Sequence, residues 1–170
     1  MKPYLEILQF INNYHEIGET IQAANFAIEE YGIKHPNFKG FELRENAKAD
    51  YILMTTEGAF GEQQIIRIPE NTFAFDFVLM LNLITHEMIH VSQKAVGNFV
   101  EDRNEREWQA YYEMIFHKTY PQIPFLPKHQ MVFFGNKALD YYAKMGANSD
   151  LQNKYESQKI EVENFINLLK

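Results

Sequence analysis

Residues 75–94, FDFVLMLNLITHEMIHVSQK, are apolar on nearly every side of a helical projection. A helix of that kind is stable only when buried, so the chain has to pack elements against it from more than one direction. Two histidines and a glutamate interrupt the pattern: His86, Glu87 and His90. Burying them is costly unless each finds a partner. On a helix, residues i and i+4 lie one turn apart on the same side, so His86 and His90 aim two imidazoles at one point. Zinc accepts histidine nitrogen at about 2.0–2.1 Å, and this spacing allows both contacts on a straight helix. Glu87 is rotated about 100° from His86. That takes it off the ligand line but leaves it beside a water in the open metal position, where a general base belongs. The competing reading is a pair of core histidines with ordinary hydrogen-bond partners.

The chain has no cysteine, so a disulfide framework and a thiolate site are both excluded and a metal must use His and carboxylate. A catalytic zinc usually takes three protein ligands. The downstream stretch EDRNEREWQAYYE offers Glu101, Glu105, Glu107 and Glu113. Glu107 has Ala110 and Tyr111 on its own face, and a small residue there lets two helices approach closely. Trp108, Tyr112 and Ile115 form a neighbouring stripe that can bury the helix. Glu101 and Glu105 fall toward the more polar side. Glu101 reads as a solvated residue, and Glu105 is the alternative to Glu107 as third ligand.

Around this pair the periodicity predicts an α+β fold over a single domain, residues 1–170. Leu5, Leu8, Ile11 and Tyr14, then Ile21, Ala24, Ile28 and Tyr31, recur at helical spacing, with Gly18 dividing two helices and Gly32 ending the second. FELRE, DYILMTT and QQIIRIP are short and β-rich, which predicts two or three antiparallel strands ended by Pro69. Asn71 or Thr72 is placed to cap the long apolar helix, or Asp76 to supply negative charge at its start. EDRNEREWQAYYEMIFHKTY reads as a further helix; after it, Pro121, Pro124 and Pro127 predict an irregular segment, TYPQIPFLPKHQMVFFG, as a packed connection, a cleft wall or a lid. ALDYYAKMG reads as a short helix, and residues from Leu151 to Leu169 read as a surface helix with one buried stripe.

The formal net charge is -7, and Lys and Arg are scattered, so neither nucleic acid nor an anionic membrane is an expected partner. No stretch approaches the roughly 18 uninterrupted apolar residues of a membrane span. The N-terminal apolar patch is broken by Glu6, Gln9, Asn12 and Asn13, unlike a signal-peptide core. A cytoplasmic location is the expectation.

HEMIH followed by EWQAY resembles the gluzincin branch of the zincin metallopeptidases over residues 78–115. The resemblance implies a zincin-like fold: N-terminal helices, a small antiparallel-rich sheet, a buried active-site helix and further C-terminal helices. It implies Zn2+ held by His86, His90 and Glu107, Glu87 as general base, and a peptide or protein substrate. It also implies an edge strand lining the cleft, for which QQIIRI is the match, and an oxyanion-stabilising residue among His117, His129, Tyr111, Tyr112 and Arg103. His15 and His35 have no partner pattern and read as surface residues. The chain departs from the family where Tyr111 stands in place of an aspartate that orients a ligand histidine, and in its short linker from His90 to Glu107. Gly97 lies seven residues after His90 with no histidine closely following, which argues against the metzincin branch. The alternative is a non-enzymatic protein that keeps the fold to bind a partner; the intact Glu87 favours the enzyme.

Overall fold

The computed structural model describes residues 1–169. Two N-terminal helices, α1 (Tyr4–Glu16) and α2 (Thr20–Glu30), are separated at Gly18, whose φ of 74° a side-chain-bearing residue rarely adopts. Strands β1 (Phe38–Arg44), β2 (Thr55–Glu57) and β3 (Gln64–Pro69) follow, then a single 3-10 turn at Thr72–Ala74. Four helices complete the chain: α3 (Phe77–Gln93), α4 (Arg103–Phe116), α5 (Lys128–Lys144) and α6 (Asp150–Leu169). The coarse α+β expectation holds. Among the described residues, no helix is long and apolar enough to cross a membrane.

The sheet differs from the expected antiparallel arrangement. Its strand order is β1-β3-β2; β2 pairs antiparallel with β3, but β1 pairs parallel with it. Residues between β1 and β2 carry the chain across to the far side of β3, so β1 and β3 run the same way. QQIIRI is therefore the central strand, not the edge, and β1 and β2 are the two edge strands. The burial of β3 fits that position: Ile66 and Ile68 are fully buried, while Ile65 and Arg67 between them are only half-buried. At the β2–β3 connection Gln64 folds back to donate to the carbonyls of Ala59 and Glu62, at 2.7 Å each. A Cβ at Gly58 would stand 2.7 Å from that side chain, so the turn requires glycine.

Helix α3 is buried from two sides, as its composition demands. Met80, Leu81, Ile84, Met88 and Val91 join Ile66, Ile68 and the α1 and α2 residues Ile7, Ile11, Ala23, Ala24 and Ala27 in one core. Ala110 of α4 belongs to the same core and is fully buried, so α4 lies close against α3. Asp76 is the α3 cap, its Oδ1 accepting from Leu79 N at 2.9 Å, and Asp102 caps α4 in the same way through Glu105 N.

A second core lies between α4, α5 and α6, built from Trp108, Ile115, Ala138, Tyr155, Val162 and Ile166. Helix α5 corrects the sequence expectation. The irregular segment ends at Pro127, the residue before the first turn of α5, and KHQMVFFGNK is helical rather than a lid. Gly135 lies inside this helix. Its place is explained by α6: a Cβ there would lie 2.8 Å from Ile166 Cδ1.

Candidate metal centre

Helix geometry brings His86 and His90 together, and the close α3–α4 contact brings Glu107 to them. His86 Nε2 and His90 Nε2 are 3.2 Å apart. Glu107 Oε2 lies 3.5 Å from His86 Nε2, and its Oε1 lies 3.8 Å from His90 Nε2. One ligand atom from each residue fits within a 4.8 Å span. Donors about 2.0–2.2 Å from a tetrahedral ion stand about 3.3–3.5 Å from one another. The separations bracket that value, so the three residues could hold a metal ion. The rings are nearly perpendicular, at 86°, which lets both Nε2 atoms face one point without the rings stacking.

The electrostatics suit a cation. Burial and the adjacent His86 push His90 down to about 4, so it is neutral and has a lone pair free to ligate. Burial raises Glu107, but the hydrogen bond and charge of His86, helped by His90 and Arg103, bring it below the ordinary carboxylate value. It is therefore an anion. Glu87 is buried beside the pair and pushed up by desolvation, against the opposing effect of His86 and of Thr56. Thr56, on β2, holds it: Oγ1 lies 2.9 Å from Glu87 Oε2 and 2.8 Å from the Glu87 carbonyl.

His90 is fixed from behind by a run of hydrogen bonds through two further helices. Gln93 Oε1 lies 2.7 Å from His90 Nδ1. The Gln93 amide nitrogen donates to Arg106 O at 3.0 Å and to Gln109 Oε1 at 2.9 Å, which leaves its oxygen facing the histidine. His90 Nδ1 must then carry the proton, and Nε2 is bare toward Glu107. Gln109 Nε2 donates to Tyr155 Oη at 2.6 Å, and Tyr155 donates to Glu105 Oε1 at 2.6 Å. Lys154 Nζ, 2.7 Å away, closes the run on that carboxylate.

Glu105 is thus not on a polar face; it is 7% exposed and committed to Tyr155 and Lys154, which removes it as the third ligand. Glu101 is exposed, as expected. Glu113 accepts from the backbone of Thr119 and Tyr120 below the end of α4, away from the centre. Sequence reasoning missed Gln93, Gln109, Tyr155 and Thr56. A glutamine at i+3 from a candidate ligand was the one readable signal; the others lie on separate elements.

A cleft of about 410 Å³ opens over the centre. It is lined by the three candidate ligands, Glu87, the β2 residues Thr55 and Thr56, and Tyr111, Tyr141, Lys94, Arg103 and Arg106, among others. Of the five residues considered for an oxyanion, Tyr111 and Arg103 line this cleft. His117 does not: it caps α4 in the left-handed conformation, with Nε2 2.8 Å from Asn82 Oδ1 and its ring stacked on Phe125. Tyr112 is turned away and bonds Glu161, and His129 is exposed on α5. His15 and His35 are both half-buried, and neither belongs to such a grouping among the described residues.

Models of protein families, curated proteins and solved structures give no match to this chain. The resemblance noted in HEMIH and EWQAY accordingly rests on the residues of α3 and α4 alone.

Proposed function

We propose that the chain is a zinc-dependent metallopeptidase. The observation that carries this is the convergence of two imidazole Nε2 atoms and one carboxylate beside a buried, threonine-held glutamate at the floor of an open cleft. The donor set of two nitrogens and one carboxylate oxygen, without thiolate, is one that zinc accepts in catalytic sites. A bound zinc supplies Lewis acidity, polarising the scissile carbonyl and acidifying the water that attacks it.

The chain's own residues do the rest. Glu87 takes a proton from the attacking water and returns it to the amide nitrogen as the C–N bond breaks. Thr56 serves both states of Glu87. Its hydroxyl donates to the ionised carboxylate; when the carboxyl is protonated, that group donates to Thr56 Oγ1, whose own proton turns to the Glu87 carbonyl. Tyr111 supplies an O–H to the developing oxyanion. Burial pushes its phenol up to about 12, so it remains a donor, and its ring rests against His86 with centroids 4.5 Å apart. The free edge of β2 offers backbone groups along which an extended peptide can lie.

Substituting Glu87→Ala is expected to leave zinc bound and abolish peptide cleavage, read by metal analysis and peptide hydrolysis on the same sample. Cleavage that persists in the variant would falsify the base assignment. Loss of zinc with Glu87→Ala would instead place the carboxylate among the ligands.

A further inference from the structure

The cleft lining combines two kinds of residue. Ile52, Leu53, Met54, Leu83, Tyr111 and Tyr141 are apolar or aromatic. Lys94, Arg103 and Arg106 are cations. Lys94 is one turn beyond His90 on α3, and Arg103 is one turn before Glu107 on α4, so both continue the faces that carry the candidate ligands.

These cations are held without being neutralised. Lys94 Nζ donates to the carbonyls of Thr56 at 3.1 Å and Gly58 at 3.2 Å, leaving one N–H free. Arg106 Nη1 donates to the carbonyls of Val100 and Glu101, at 2.9 and 2.7 Å, and its guanidinium lies 5.6 Å from the Phe60 ring centroid. Its Nη2 and Nε are not used by these bonds. Arg103 is exposed to the cleft and makes no hydrogen bond or ion pair among the described residues. Elsewhere Lys2, Arg44, Lys118 and Lys154 sit on carboxylates, and scattered lysines such as Lys34, Lys39 and Lys48 make no ion pair among the described residues; what sets Lys94, Arg103 and Arg106 apart is that three unpaired cations line one cleft. A chain with 23 Asp and Glu against 16 Lys and Arg has ample anions to spare, yet none pairs with these three. The two cleft carboxylates are already committed, Glu87 to Thr56 and Glu107 to the imidazoles. Burial, and then Arg106, holds Lys94 below its ordinary value in spite of the opposing charges of Glu87 and Glu57, a penalty that an incoming anion relieves.

Building on the metallopeptidase reading, we propose that Lys94, Arg103 and Arg106 form a subsite for a substrate carboxylate near the scissile bond, so that the preferred substrates are acidic peptides. The carboxylate comes either from an Asp or Glu side chain or from a free chain terminus; both offer the same two oxygens to guanidinium and ammonium donors. The local positive potential also offsets the repulsion of an acidic peptide by a chain of net charge -7.

The test uses the zinc-loaded full chain and a random decapeptide mixture prepared with free and with amidated C-termini, the products being sequenced by mass spectrometry. Cut sites are expected to be enriched about tenfold in a neighbouring carboxylate, the worth of one charge-assisted hydrogen bond. Enrichment that survives amidation assigns the side chain; enrichment confined to free termini assigns the α-carboxylate. Arg103→Glu, with zinc content and melting temperature unchanged, is expected to move the preference toward Lys and Arg, while Arg103→Lys retains it. Cleavage without acidic bias, or a bias that Arg103→Glu does not move, overturns the subsite. Absence of cleavage by the wild type overturns the metallopeptidase reading instead, and the subsite is then decided by capture of the same mixture on immobilised, zinc-loaded Glu87→Gln. Acidic enrichment that Arg103→Glu removes supports the subsite there; unbiased capture or no capture refutes it.

Discussion

His86 and His90 are the same side chain, one turn apart on one helix, yet their outer nitrogens have different surroundings. His90 Nδ1 is bonded to Gln93, and through Gln109 and Tyr155 to the Glu105 carboxylate. Every donor in that run points away from the centre, so the negative end favours the tautomer that leaves His90 Nε2 free. His86 Nδ1 is buried with no hydrogen-bond partner, and the neighbouring Tyr111 meets the imidazole with its ring rather than its hydroxyl. An unpartnered buried nitrogen costs about 1–3 kcal/mol. One candidate ligand is therefore oriented by hydrogen bonds and the other by packing. Two residues can satisfy the same motif while depending on different parts of the molecule, and the C-terminal helix α6 matters to one of them only.

The largest expected effect removes what the two histidines share. Glu107→Ala is expected to weaken zinc binding by more than the roughly 100-fold upper range of an outer-shell change, measured by competition with a chromophoric chelator. Glu105→Ala should cost less, because it acts only through Tyr155. The reverse order would mean that α4 presents the other face to the metal. Next in size is Gln93→Ala. It takes the acceptor from His90 Nδ1 and is expected to cost about 10–100-fold in affinity. Long-range 15N NMR should show His90 losing its single tautomer while His86 is unaffected. If both rings respond alike, the contrast between them fails.

Glu107 and the histidines were legible because helical spacing alone sets which side chains share a face: two positions four apart on α3, and a glutamate next to a small residue on α4. The long apolar helix also required burial from two sides, and α1, α2 and the sheet on one side with α4 on the other provide it. The rest depended on contacts between elements. Alternation in QQIIRI marks a strand but carries no sign of its neighbour's direction, so the parallel β1–β3 pair and the central place of β3 could not be read. Glu105 looked solvated because Tyr155 and Lys154, which enclose it, come from α6. The three prolines pointed to an irregular segment running through residue 135, whereas α5 starts at Lys128 and Gly135 is the residue that lets Ile166 approach. Thr56 lies on a three-residue strand, and nothing in the sequence ties it to Glu87.

Smaller effects sharpen the contrast. Tyr155→Phe leaves Gln93 on His90 but breaks the connection to Glu105. It is expected to weaken zinc binding by about 2–10-fold, at the lower edge of what outer-shell changes cost, in the same chelator competition. An effect as large as that of Gln93→Ala would show that Tyr155 supports the fold of α4 and α6 rather than the ligand. Tyr111→Phe has the smallest expected effect on metal affinity, within about twofold, since the hydroxyl is not bonded to His86 and the ring that contacts it is preserved. Its turnover should nonetheless fall by about 10²–10³-fold, the usual loss for one oxyanion donor. Tighter or much weaker zinc binding in this variant would mean that the hydroxyl does orient His86.

X-ray absorption spectroscopy at the zinc edge, on the zinc-loaded protein and on His90→Ala, reads the centre itself. One zinc per chain with two imidazoles at about 2.0–2.1 Å and oxygen ligands completing the shell is the expected result, with one imidazole lost in the variant. A wild-type spectrum without imidazole scattering, or one unchanged by His90→Ala, would contradict a metal shared by α3 and α4.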